Sequence, residues 1–289
     1  MSTYIGRFAP SPTGSLHVGS LLTAVASWCD ARAANGKWLL RIEDVDTTRC
    51  HAHAADHIIR TLEHYGLWWD DTIVYQRQRN SFYQDALTQL QDQGDIFWCT
   101  CSRRALAETN ALICTGHCRD HRQYRPHAAA RLRVPQETTI TFHDENFGQV
   151  SENLAQRVGD FVIFRRDDVF AYQLAVVVDD AEQGITHVVR GADLLDNTAR
   201  QIYLQQRLVL PTPQYAHIPF IANDAGEKLS KQTGATALTW DNANAQLWQA
   251  LTQLGQRPPN ALQSEPCEQV LHWAIQHWQR NNIPKRLIL

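Results

Sequence analysis

The first ninety-odd residues switch repeatedly between two hydrophobic periodicities, and few fold classes accommodate that. Residues 4–8 (Tyr-Ile-Gly-Arg-Phe) form a short run suited to a buried strand. A Pro/Gly/Ser-rich loop follows over residues 10–15. Apolar residues then recur at Leu16, Leu21, Val25, Trp28 and Ala31, which predicts a helix over residues 17–34 stopped at Asn35-Gly36. Residues 38–42 read as a second strand, residues 53–65 as a helix ended by Gly66, and residues 81–93 as a helix ended by Gly94. Strands alternating with helices imply an α/β fold with a parallel sheet covered on its faces. Ligands in such sheets bind beyond the carboxyl ends of the strands. The loop after the first strand and the Glu43-Asp44-Val45-Asp46 cluster after the second both fall there.

The pattern breaks at Trp98, where cysteines, arginines and irregular segments take over until about Asn153. Apolar runs at residues 161–164 and 174–178 then read as buried strands resuming the sheet. Residues 99–158 are therefore expected to be an insertion between residues 1–98 and 159–238, the two halves of one catalytic domain. Residues 239–289 carry helical spacing at Leu247, Leu251, Leu254 and at Leu271, Ile275, Trp278, which predicts a small helical C-terminal region. Net charge is −3, which argues against a general nucleic-acid binder. Within residues 99–133, however, seven arginines face only Glu108 and Asp120, a local balance of +5 that leaves −8 on the rest. A basic island on an acidic chain suits a defined polyanion contact or an arginine-rich solvated face. With no apolar run of about 18 residues and no basic-then-apolar start, the expectation is a cytoplasmic protein without a membrane span.

Reduced thiols are the default in that compartment, so the seven cysteines read as core thiols or metal ligands. Four of them, Cys99, Cys101, Cys114 and Cys118, lie within twenty residues as two close pairs. That spacing predicts one structural tetrahedral zinc, with His117 or His121 able to replace one thiolate.

Two segments carry the chemistry of a nucleotide site. The first is Arg7-Phe-Ala-Pro-Ser-Pro-Thr-Gly14-Ser-Leu-His17-Val-Gly19, and the second is Lys228-Leu-Ser-Lys231-Gln232. Gly14 and Gly19 let backbone approach a nucleotide closely. His17 can donate to a phosphate oxygen, and the helix starting there aims free N–H groups at the same place. Lys228 and Lys231 sit on a polar, Gly-flanked loop that can close over a triphosphate. Charge that builds on a phosphate during attack needs such groups around it. His17, Lys228 and Lys231 are the expected catalytic residues, and with Gly19 they form the expected ATP site.

Together with Leu40-Arg-Ile-Glu43-Asp44, Val176-Val-Val-Asp179-Asp180 and Gly184-Ile-Thr-His-Val-Val-Arg190-Gly-Ala-Asp193, these segments resemble the glutamyl branch of the class I aminoacyl-tRNA synthetases. The resemblance spans most of the first 235 residues, and its departures (Val18, Ser20, Leu229, Gln232) leave His17, Gly19 and both lysines in place. It implies a Rossmann-like parallel sheet with an inserted zinc-bearing subdomain. It also implies a ligase that uses ATP, with Mg²⁺, to activate L-glutamate. Glutamate binding maps by resemblance onto Arg7, Phe8, Ala9, Pro10, Ser11, Glu43, Tyr172 and Arg190. Arginine forks suit its two carboxylates, Glu43 suits its ammonium, and a cationic pocket disfavours glutamine. The family usually shows Cys-x-Cys, then a Tyr and a Cys; here Cys114 stands at the tyrosine position.

After Gln232 only 57 of the 289 residues remain, fewer than the family's helical anticodon-binding domains would need. The chain thus resembles the shortened members of the branch that place glutamate on queuosine, at the wobble position of tRNA(Asp). The expected partner is the anticodon loop of tRNA(Asp), with the basic island among its contacts, and a monomer is expected. Two other readings stay open: a minimal enzyme charging a tRNA 3′ end, and a non-catalytic glutamate or nucleotide sensor. Retained His17, Lys228 and Lys231 count against the sensor.

Overall fold

The computed structural model describes residues 3–101, 117–221 and 238–288. Expected elements appear nearly in place: β1 (Ile5–Phe8), α1 (Val18–Ala33), β2 (Lys37–Ile42), α2 (Ala54–His64) and α3 (Asn80–Asp92). β3 (Asp70–Tyr75) follows β2 in an all-parallel β1-β2-β3 sheet, with Arg7 registered against Leu39 and Phe8 against Leu40. β9 (His187–Gly191) and β10 (Gln214–Ile218) form a second parallel pair. The three-stranded sheet and this pair are brought side by side at β1, where the Thr186 N–H donates to Ile5 O at 2.9 Å.

β4 (Ile96–Cys99), β5 (Ala129–Leu132) and β8 (Phe161–Phe164) form a separate antiparallel sheet. β6 (Thr139–Asp144) and β7 (Gly148–Asn153) are a hairpin, and β6 lies parallel to β10. The stretch expected as an insertion thus contributes strands to both of these sheets.

One expected strand is a helix. Residues 174–178, read as a buried strand, belong to α4 (Tyr172–Glu182). Every residue from Leu174 to Asp180 is buried, so the helix shows no polar stripe. A helix buried all round presents the same continuous apolar run as a strand covered on both faces.

Alternation along β2 divides the interior. Trp38, Leu40 and Ile42 pack into a cluster with α1, α2 and the C-terminal helices α6 (Ala243–Gln253) and α7 (Cys267–His277). Leu39 points the other way, into a cluster with α3, α4 and α5 (Leu195–Leu208). This period-2 division is what a strand covered on both faces requires. The C-terminal segment is clamped by Asp30, which accepts from Tyr4 Oη, Trp278 Nε1 and Arg280 Nε at 2.6–2.9 Å. Among the described residues no helix is long and apolar enough to cross a membrane.

Candidate functional site

β1 and β2 run parallel and end side by side, β9 follows the Thr186 contact to β1, and the β1–α1 loop leaves from those carboxyl ends, where a parallel sheet binds its ligands. Gly14 holds φ at +133°, a region L side chains rarely adopt, so the loop needs glycine there. The Glu43 N–H donates to Pro10 O at 3.0 Å and the His51 N–H to Pro12 O at 3.0 Å, which ties the loop to the end of β2. Of the loop residues expected to bind a ligand, Ala9 and Pro10 are half-buried and Ser11 is exposed. Phe8 turns its ring into the core against Trp38. Only its backbone remains to face a ligand there, because side chains of a strand alternate between faces.

His17 is the N-cap of α1. Its Nδ1 accepts the Ser20 N–H at 3.3 Å, and its Nε2 lies 3.3 Å from Ser20 Oγ. An accepting Nδ1 carries no proton, so the neutral ring presents its N–H at Nε2. The first turn of α1 holds no acidic residue, which leaves its positive end suited to an anion. Gly19 leaves that ring room: a Cβ there would stand 3.2 Å from both Cε1 and Nδ1 of His17, tight enough that the ring would have to give by a few tenths of an ångström. Lys228, Lys231 and Cys114 lie outside the described residues. The Leu238 N–H donates to Leu16 O at 3.1 Å, so the chain re-enters the described structure beside His17.

The expected glutamate residues converge on an ionic network that motif reading did not draw out. Arg41 is fully buried on β2, with Nη2 2.8 Å from Asp180 and 3.3 Å from Glu43. Asp180 also accepts from Arg7 Nε at 3.3 Å. Burial works to raise the Asp180 carboxyl, but Arg7 and Arg41 outweigh it and hold its pKa below the usual value. Glu43 goes the other way: burial raises it in spite of Arg41 and Arg7. Tyr172, at the start of α4, is raised by burial and by the Glu43 carboxylate, with Arg190 and Arg7 opposing. Glu43, Tyr172, Arg7 and Arg190 therefore share one electrostatic neighbourhood. Neighbouring Asp179 takes Tyr83 Oη at 2.7 Å, Gln76 Nε2 at 2.9 Å and Arg79 Nε at 2.5 Å.

The two expected arginines differ in how they are held. Arg7 donates only its Nε among the described groups, leaving both terminal nitrogens for a ligand. Arg190 is gripped on three sides: Nε donates to His217 Nε2 at 3.0 Å, Nη1 to Gln201 at 2.8 Å and Nη2 to Thr198 at 2.8 Å. His217 is in turn fixed by Asp144, whose carboxylate takes its Nδ1–H at 2.6 Å. Burial lowers the His217 pKa to about 4, so the ring is neutral. An arginine Nε can only donate, which fixes the proton on Nδ1 and the lone pair on Nε2. Asp144 and His217 carry no sequence motif; only the pairing of β6 with β10 brings them together.

Cys99, Cys101 and Cys118 place their thiols within 4.8 Å of one another, and the sulfurs of Cys101 and Cys118 are 3.6 Å apart. Zinc–thiolate bonds of about 2.3 Å in a tetrahedron separate the sulfurs by about 3.8 Å. The three thiols therefore fit a metal ion.

Residues 5–269 match the family model for tRNA synthetases class I (E and Q), catalytic domain. The chain belongs to that family. It is 52% identical over 286 residues to the glutamyl-Q tRNA(Asp) synthetase of Thiobacillus denitrificans, covering 97% of this chain and 95% of that one. The Pseudomonas aeruginosa protein of the same name is 49% identical, with 98% and 96% covered. Among solved structures, the glutamate-tRNA synthetase of Elizabethkingia anophelis superposes with a TM-score of 0.80 at 22% identity. It covers all of this chain and 68% of that one, and at this identity it speaks for the fold.

Proposed function

We propose that the protein activates L-glutamate with ATP and transfers it to the queuosine base at the wobble position of tRNA(Asp). The observation that carries the reading is near-full-length similarity to proteins named for that reaction, together with convergence of Arg7, Glu43, Tyr172 and Arg190 on one electrostatic neighbourhood. In the first step a carboxylate oxygen of glutamate attacks the α-phosphorus of ATP, supplied with Mg²⁺. An O–P bond forms, the bond to the bridging oxygen breaks, and pyrophosphate leaves. His17, at the head of α1, stabilises the charge on the phosphate, with Lys231 and Lys228 assisting. Arg7 and Arg190 take the carboxylates of glutamate, Glu43 takes its ammonium, and Ser11 and Tyr172 add hydroxyl bonds. The Ala9–Pro10 backbone lines the same pocket, and Gly19 gives the nucleotide room.

A hydroxyl of the cyclopentene ring of queuosine then attacks the adenylate carbonyl, and AMP leaves. The anticodon loop of tRNA(Asp) meets the 99–158 region, whose arginines supply the phosphate contacts. Cys99, Cys101 and Cys118, with Cys114 as fourth ligand, hold a structural zinc that fixes the start of that region to β4. The test is twofold. Glutamate-dependent ATP–pyrophosphate exchange without RNA establishes the first step. Charging tRNA(Asp) and tRNA(Glu) from cells with and without queuosine then locates the acceptor. Glutamate should appear on queuosine-containing tRNA(Asp) alone, and its appearance on tRNA(Glu) lacking queuosine would overturn the assignment in favour of 3′-end charging.

A further inference from the structure

A cavity of about 230 Å³ lies between α3 and the strands of the antiparallel sheet, and none of the residues expected to bind glutamate or ATP lines it. Its walls are Trp98, Tyr124 and Phe164, with Gln84, Thr88 and Gln91 from α3 along one side. Trp98 is buried at the end of β4 and stands edge-on to both Tyr124 and Phe164, with centroids at 4.8 and 6.1 Å. Tyr124 is different: it is 57% exposed, a large aromatic left at the mouth. Arg122 and Arg125 flank it in sequence. Both are exposed and form no ion pair among the described residues.

We infer that this cavity receives one unpaired nucleobase of the tRNA, with Arg122 and Arg125 on the adjoining phosphates. The inference rests on the RNA acceptor proposed above and adds a site for a base other than the one acylated. Three features favour this occupant. An aromatic face presented at a rim offers a base its stacking partner. The polar side offers edge contacts: the Gln91 carbonyl is taken by Trp98 Nε1 at 3.3 Å, which leaves its amide N–H groups as donors. Unneutralised arginines on both sides of the stacking residue match a polyanion whose base is inserted between two phosphates. An uncharged peptide or lipid would leave that charge unanswered, and an acidic one would bring no planar ring matched in spacing to its charges.

The experiment measures binding of full-length protein to tRNA(Asp) without glutamate or ATP, for the wild type, Tyr124→Ala and Tyr124→Phe. Glutamate-dependent pyrophosphate exchange is run on each as the folding control. Loss of one stacked base should weaken Tyr124→Ala binding roughly 5- to 150-fold, with Tyr124→Phe close to wild type and exchange unchanged in both. Arg122→Ala and Arg125→Ala should each lower the slope of log affinity against log salt by about 0.7–0.9. Equal binding by wild type and Tyr124→Ala would overturn the inference while leaving the acceptor assignment intact. Weakened binding by Tyr124→Ala, with no glutamate transferred by the wild type to tRNA(Asp), would sink the acceptor and keep the base site. Absence of RNA binding by the wild type would remove both.

Discussion

Replacing Asp144 by asparagine should disable glutamate recognition from within the core, without touching any group expected to meet substrate. All the backbone and ring contacts made by this carboxylate are donors to it. Oδ1 accepts the N–H of Asn146 at 3.0 Å and of Phe147 at 2.9 Å; Oδ2 accepts the His217 N–H at 3.1 Å and Nδ1–H at 2.6 Å. An amide NH₂ placed on either side therefore faces two donors. Hydrogen bonds to a charged group are worth about 1.5–3 kcal/mol each, so losing two should destabilise the fold by roughly 3–6 kcal/mol.

The other escape is a change of tautomer. His217 Nδ1 can accept from the new amide only if the ring proton moves to Nε2. That proton would then point at Arg190 Nε, 3.0 Å away, and Arg190 must turn. Loss of one charge-assisted bond to a glutamate carboxylate, about 1.5–3 kcal/mol, corresponds to a rise in KM for glutamate of roughly 10- to 150-fold. Pyrophosphate exchange over a glutamate titration measures it, with KM for ATP as the internal control and a thermal melt for stability. A variant with a lowered Tm and an unchanged KM for glutamate would refute the relay: Gln201 and Thr198 would then be enough to hold Arg190.

Other outcomes follow from the same structure. Gly19→Ala should crowd the His17 ring and slow pyrophosphate exchange by up to ~10²-fold, with KM for glutamate little changed; an unaltered rate would show that His17 tolerates displacement. Cys99→Ser and Cys118→Ser should each abolish stoichiometric zinc measured by elemental analysis and lower Tm, and full zinc content in both would remove these thiols from the ligand set. Burial raises Glu43, so on acidification it should protonate earlier than an ordinary carboxylate, and KM for glutamate should rise there. Glu43→Gln should remove that acid limb. Below its ordinary value His217 works against stability: the folded ring holds out to about pH 4, whereas the unfolded ring takes its proton near 6.5. Unfolding should therefore become easier by roughly 3 kcal/mol as pH falls from 6.5 to 4, read from urea melts, and His217→Gln should flatten that dependence.

Much of the N-terminal half is legible in the sequence. β1, α1, β2, α2 and α3 announced themselves because each buries one face or run and ends at a glycine or a polar turn. Arg7, His17 and Glu43 sit where chain order alone put them, at the carboxyl ends of adjacent parallel strands or the head of the helix between. The run at residues 174–178 misled because a helix enclosed on all sides has no stripe to show. Phe8 was expected to line the ligand pocket, yet strand alternation sends its ring into the core. Arg41 passed unnoticed because a buried arginine looks like any other until its counter-ions are located.

The sequence by itself determined the chemistry on offer. It placed a loop suited to phosphate at a helix start, gathered cysteines at metal-ligand spacing and supplied arginines of the kind that suit carboxylates, since such motifs depend on neighbours only a few positions away. Tertiary structure decided how those groups are held. Asp180 reaches Arg7 from 173 residues along the chain, and Asp144 reaches His217 from 73. Contacts of that kind depend on which strands and helices pack together, and hydrophobic patterning leaves that pairing open. In the proposed reading, specificity for a carboxylate substrate would begin as a local arginine and be completed by the long-range packing that fixes its direction and charge.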